Sequence, residues 1–87
     1  MSRYRLEYEA KARKQLRAVT DLRLRNALER ALVGLMSEPR PPGCLKMAGR
    51  KDAWRIRVGE WRVVYRIEEG RLLVLVVTLA PRGEVYR

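Results

Sequence analysis

The segment Arg55-Ile56-Arg57-Val58-Gly59-Glu60-Trp61-Arg62-Val63-Val64-Tyr65-Arg66 places apolar residues at alternate positions on both sides of Gly59-Glu60. Strand side chains alternate faces with period two, so each half reads as a strand with one apolar side. A two-residue loop with glycine first suits a type II′ hairpin turn. The turn fixes the register: Val58 pairs with Trp61, Ile56 with Val63, and Arg57 lies directly opposite Arg62. Like charges facing across strands destabilise a sheet by roughly a few tenths of a kcal/mol. A face that carries such a pair, with Arg55 two residues along, is suited to holding phosphate oxygens. The plainer alternative is a solvated basic face, since charges on one side of a strand are common.

The rest of the chain supplies one layer to cover the hairpin's apolar side. Tyr4, Leu6 and Tyr8 alternate with Arg3, Arg5 and Glu7, a short amphipathic strand. Helix formers follow from Ala10 to Val19, with Ala12, Leu16 and Val19 at helical spacing. Thr20 or Asp21 can cap a second helix, in which Leu24, Leu28, Ala31, Leu32 and Leu35 follow the i, i+4, i+7, i+8, i+11 pattern. Pro39, Pro41, Pro42 and Gly43 end it. A loop carrying Arg40, Lys46, Arg50 and Lys51 then runs to about Asp52. After the hairpin, Glu69-Gly70 provides a second tight turn, and Arg71 to Leu79, apolar on both sides, reads as an interior strand.

The expected order is β-α-α-β-β-β, an α+β fold with an antiparallel sheet and a pair of helices packed on one face. Trp54, Ile56, Val58, Trp61, Val63, Tyr65, Ile67, Leu72, Val74 and Val76 should face the helices, leaving Arg55, Arg57, Arg62 and Arg66 on the other side. The first strand must pair with a later one to satisfy its backbone groups. Residues 1–87 are expected to form a single domain.

Charge narrows the function. Twenty basic residues against 10 acidic ones give a formal net charge of +10, which favours nucleic acid or an acidic protein as partner. Sixteen of the 20 are arginine, whose guanidinium grips phosphate with two donors where lysine offers a point charge. There is no histidine, which excludes histidine-based triads, acid/base pairs and metal ligation. The single cysteine, Cys44, excludes an internal disulfide and fits a reducing cytoplasm. No apolar run approaches a membrane span, so a soluble, unprocessed, cytoplasmic protein is expected.

Taken in order, these segments resemble the RelE/ParE superfamily of toxins from bacterial type II toxin–antitoxin systems, over nearly the whole chain. The resemblance lies in Tyr8, Ala12-Arg13-Lys14-Gln15-Leu16, Asp21 and the helix leucines. It continues through Pro39, Gly43, Lys46, Met47 and Gly49, is sharpest at Arg55 to Tyr65, and ends at Arg82 and Tyr86. It implies a basic toxin neutralised by a cognate antitoxin, with operator DNA reached indirectly through the antitoxin complex. Members similar to RelE cut mRNA in the ribosomal A site without metal or cofactor, the ribose 2′-OH attacking the adjacent phosphate. Members similar to ParE poison DNA gyrase and are not nucleases.

Residue by residue, the resemblance assigns Arg62 to the phosphate and Arg82 to charge stabilisation or leaving-group protonation. It assigns Tyr86 to base stacking or proton transfer. Arg55 and Arg57 stand where some relatives carry lysines, and Pro81 stands where a histidine is frequent. Arginine is too basic to accept a proton near neutrality, so it holds phosphate but makes a poor general base. The base role therefore falls to Tyr86, or to Lys46 or Lys51 from the loop. The leading expectation is a ribosome-dependent mRNA endoribonuclease with Arg62, Arg82 and Tyr86 catalytic and Arg55, Arg57, Lys46 and Lys51 binding RNA. The alternatives are a gyrase inhibitor of ParE type and a degenerate relative that only binds its antitoxin.

Overall fold

The computed structural model describes residues 3–49 and 51–81. Its elements are β1 (Arg5–Tyr8), α1 (Ala10–Arg17), α2 (Leu22–Gly34), β2 (Leu45–Lys46), β3 (Ala53–Val58), β4 (Trp61–Glu68), a 3-10 turn (Glu69–Arg71) and β5 (Leu73–Pro81). They form one five-stranded sheet in the order β1-β5-β4-β3-β2. The α+β fold class and the helical pair are as expected. The sheet, however, is mixed. Strands β2 to β5 are antiparallel, but β1 runs parallel to β5, with Leu6 beside Val74 and Tyr8 beside Val76. No short turn joins β1 to β5, so matching of their apolar sides, rather than a loop, sets that pairing.

The β3–β4 hairpin has the register read from its turn, with Val58 opposite Trp61, Ile56 opposite Val63 and Arg57 opposite Arg62. Gly59 takes φ 60 while Glu60 keeps a negative φ, the pattern of a type II′ turn. The second turn differs from expectation. Glu69–Arg71 forms a 3-10 turn and Leu72 enters the left-handed region at φ 48, so β5 begins only at Leu73. Leu72 is consequently exposed at the turn instead of facing the helices. Once started, β5 occupies the expected interior position between β1 and β4.

A bulge then changes the alternation of β5. Val64 pairs with Thr78 but Tyr65 with Val76, so Val77 is an extra residue. Beyond it Leu79, opposite Val63, joins Val74 and Val76 in the core. Past the end of β1, the Gln15 side chain on α1 takes over the β5 edge, its Oε1 accepting from the Leu79 N–H (2.8 Å) and the Thr78 hydroxyl (3.0 Å). A strand group that has lost its ladder partner is thereby satisfied by the helix.

Both helices pack on one side of the sheet. Asp21 caps α2, its carboxylate accepting from Leu24 N–H at 3.2 Å. Leu28, Leu32 and Leu35 are buried against Ile56, Val63, Tyr65, Ile67, Val74, Val76 and Leu79. Each such leucine contributes roughly 1.5–3 kcal/mol by leaving water. Helix α1 stops at Arg17, two residues earlier than expected, although Val19 still reaches the core. Helix α2 ends at Gly34, ahead of the first proline, in a tightened turn closed by Met36, Ser37 and Glu38 N–H groups. The buried Tyr65 hydroxyl donates to the Pro39 carbonyl at 2.7 Å and pins the proline loop to the sheet. Among the described residues, no helix is long and apolar enough to cross a membrane.

Candidate nucleic-acid interface

Facing pairs in an antiparallel ladder share a side of the sheet, so the register decides which cations meet. The side away from the helices carries Arg55 and Arg57 from β3 and Arg62 and Arg66 from β4, with Arg57 opposite Arg62, Arg55 opposite Val64, and Arg66 opposite Ala53. Lys51 reaches the same side, lining a cavity there with Ala53, Val64 and Arg66. Lys46 does not. Its cross-strand partner is Trp54, which packs on the helix side, so the register places Lys46 across the sheet from Arg62. Lys46, expected to bind RNA together with Arg55 and Arg57, thus does not share their side of the sheet. Arg82 and Tyr86 lie outside the described residues.

Arg62 is distinguished within this face. Its Nε is buried and has no hydrogen-bond partner among the described residues. A buried guanidinium N–H left unpaired costs on the order of 1–3 kcal/mol, more for a charged group. The β4 strand holds it against Arg57 at about 5 Å between Cβ atoms, and no acid among the described residues forms an ion pair with Arg57, Arg62, Arg66 or Lys51. The floor beside these cations is apolar. Val64 and Ala80 are buried there, and Met47 and Val77 pack against them. The face is therefore a basic rim around an aliphatic floor.

Arg40, Tyr4, Glu69 and Tyr65 are committed to structure. Arg40, expected as part of the basic loop, instead binds Glu69 (2.6 Å) and lies 5.1 Å above the Trp54 ring. Tyr4 donates to the other Glu69 oxygen. Hydrogen bonds from Tyr4 and Arg40 hold the Glu69 carboxyl below its usual range, and the Tyr4 phenol is raised by its bond to Glu69. Burial raises the phenols of Tyr8 and Tyr65, Tyr65 well above the ordinary tyrosine range. Trp54, Trp61 and Tyr65 all pack with the helix-side core, as their alternation indicated. No described tyrosine shares the arginine face in a state suited to accepting a proton.

One feature of this face escaped sequence reasoning. Glu9, between β1 and α1, lines the cavity formed by Lys51, Ala53, Val64, Arg66 and Val77. Its reach depends on the parallel placement of β1 against β5 and on the bulge at Val77. Its alternation with Glu7 and Arg5 was the only available signal, and it could not name the neighbours.

Residues 6–86 match the family model described as the ParE toxin of type II toxin–antitoxin systems. Among solved structures, the isolated E. coli RelE toxin is similar at 28% identity and TM-score 0.79, over 95% of this chain and 90% of that one. A chain of the archaeal RelE–RelB complex from Pyrococcus horikoshii OT3 is also similar, at 28% identity and TM-score 0.74, over 94% and 98%. The YoeB/ParE toxin from Agrobacterium tumefaciens shares the fold at 19% identity and TM-score 0.77, over 90% and 98%. No match is found among curated protein sequences.

Proposed function

Because this chain belongs to the ParE toxin family of type II toxin–antitoxin systems, we propose that its arginine face is the working surface of a toxin that cleaves mRNA on the ribosome. The observation that carries this reading is Arg62, with a buried Nε that has no partner among the described residues and Arg57 directly opposite. Two forks of donors are thus held beside one another at an energetic cost, and a phosphate's non-bridging oxygens relieve both the unpaired donor and the mutual repulsion.

In the proposed reaction the 2′-oxygen bonds to the adjacent phosphorus and the bond from phosphorus to the 5′-oxygen breaks. The 2′-hydroxyl proton passes to a base, and the leaving oxygen gains a proton. Arg62 and Arg57 stabilise the extra charge on the pentacoordinate phosphorus. Tyr4 is occupied by Glu69 and Tyr65 by the Pro39 carbonyl, and Tyr8 faces the helices. The base is then Tyr86 or Lys51. Arg82 completes charge stabilisation at the leaving oxygen, as the family resemblance implies. A cognate antitoxin that covers this surface neutralises the toxin; the similar archaeal RelE is found in complex with RelB.

The family match itself favours a second reading, inhibition of DNA gyrase without nuclease activity. Expression of the wild type and of Arg62→Ala in bacteria separates the two. RNA cleavage predicts new mRNA 5′ ends that disappear with Arg62→Ala, with intact DNA. Double-strand DNA breaks without new mRNA ends would replace the nuclease reading with gyrase inhibition.

A further inference from the structure

Further along β4 from Arg62, at Val64 and Arg66, the arginine face holds a cavity of about 350 Å³, within the range of small-ligand clefts. Ala53, Val64 and Val77 line it with aliphatic surface, and Glu9, Lys51 and Arg66 supply its polar groups. We propose that this cavity is a guanine-binding subsite and that Glu9 reads the base. The proposal rests on the reading of this face as an RNA site and names the nucleotide it selects.

Position comes first. Val64 lies two residues from Arg62 on β4 and therefore about 7 Å along the strand, the scale of one nucleotide. Arg55 stands opposite Val64, so a strand of RNA whose phosphate rests on Arg62 lays a neighbouring base over the aliphatic floor. The β5 bulge contributes the extra residue, Val77, to this cavity. Bulges commonly re-aim side chains beside functional sites.

The polar groups then choose the occupant. Glu9 occupies the N-cap position of α1, yet its side chain makes no capping hydrogen bond. Among the described residues it forms no ion pair with Lys51 or Arg66, although the three line one cavity. A free phosphate or carboxylate in the cavity would pair with Lys51 and Arg66 but leave the Glu9 carboxylate without a donor. An aliphatic side chain would desolvate three charges without pairing any of them. A base offers a flat apolar face to the floor and polar edges to all three.

Among the four bases, only guanine presents two adjacent N–H donors, N1 and the N2 amino group, which match the two oxygens of a carboxylate. Its O6 and N7 are acceptors for lysine or arginine. Adenine and cytosine offer one amino group beside a ring acceptor, and uracil offers one N–H between two carbonyls that a carboxylate repels. A good bidentate pair discriminates by about 1–3 kcal/mol, which corresponds to about 5- to 150-fold in affinity.

The test is a titration of protein carrying labelled alanine and valine methyl groups with GMP, AMP, CMP and UMP, followed by NMR. GMP is expected to shift the Ala53, Val64 and Val77 methyls and to bind about tenfold more tightly than the others. IMP, which lacks the N2 amino group, should lose most of that advantage on the wild-type protein, so the outcome does not depend on any variant folding. Glu9→Gln should equalise the nucleotides. Unmoved cavity methyls, or equal affinities for GMP, IMP and AMP, would overturn the proposal. The result is independent of cleavage. GMP selectivity in a protein that cuts no mRNA would remove the nuclease reading and keep the subsite, whereas cleavage without selectivity would do the reverse.

Discussion

Arg57 and Arg62 face each other across the β3–β4 hairpin, and no acidic residue among the described residues forms an ion pair with either. A sheet optimised for stability alone would place an opposite charge at one of these positions. Replacement of the exposed Arg57 by Gln should therefore leave stability unchanged or raise it by up to about 0.5 kcal/mol, while weakening RNA binding. Added salt should stabilise the wild type more than this variant, because screening relieves the same repulsion. Chemical denaturation at two salt concentrations measures both effects.

Tyr65 separates structure from chemistry in the opposite sense. Its hydroxyl is buried and bonded to the Pro39 carbonyl on the helix side. Tyr65→Phe leaves that carbonyl short of a partner and should cost about 1–2 kcal/mol, with mRNA cleavage by the folded protein unchanged. Urea denaturation combined with a cleavage assay at low temperature checks the pair of outcomes.

The clamp of Tyr4, Glu69 and Arg40 gives a pH dependence with a definite sign. The Glu69 carboxyl is held below its ordinary value of 4.5 in the folded protein, so the stability it contributes is present above that value and is lost as pH falls through the folded pKa. Tyr4 is shifted the other way. Its contribution is complete below the ordinary value of 10.0 and is lost as pH rises through the raised folded value. The difference in melting temperature between wild type and Glu69→Gln should therefore be constant from pH 8 to about pH 5.5 and close below the ordinary glutamate range. A scan of melting temperature against pH for both proteins reads this directly.

Gly59 tests the hairpin's geometry. It holds φ 60 at the first loop position, where a side chain costs about 1–2 kcal/mol. Gly59→Ala should be destabilised by that amount and should also lose RNA affinity, since the turn sets the Arg57–Arg62 register. Hydrogen exchange across β3 and β4 would show whether the loss is centred on the hairpin.

The contrast between the two ends of the sheet explains what was legible in the sequence. The Arg57–Arg62 pairing could be read because a two-residue turn leaves no freedom in register, and alternation then placed Tyr65 and Arg62 on opposite sides. Asp21 and the leucines of α2 were equally readable, since capping and helical spacing are local. The parallel placement of β1 was not, because its partner lies more than 60 residues away and an amphipathic strand does not specify direction. The bulge at Val77 was hidden within a run that is apolar on both sides, which carries no alternation to interrupt. The side of the sheet that Lys46 takes was not legible because a two-residue edge strand sets it, and Glu9 was missed because its neighbours come from the loop, β3, β4 and the bulge together.

The most direct test of the central claim is to add purified protein to ribosomes stalled on a defined mRNA with an empty A site, and to map new 5′ ends by primer extension beside the Arg62→Ala variant. The account predicts a cut within the A-site codon by the wild type and none by the folded variant. An uncut message with the wild type, or an equal cut with Arg62→Ala, would contradict the assignment of Arg62 to the phosphate.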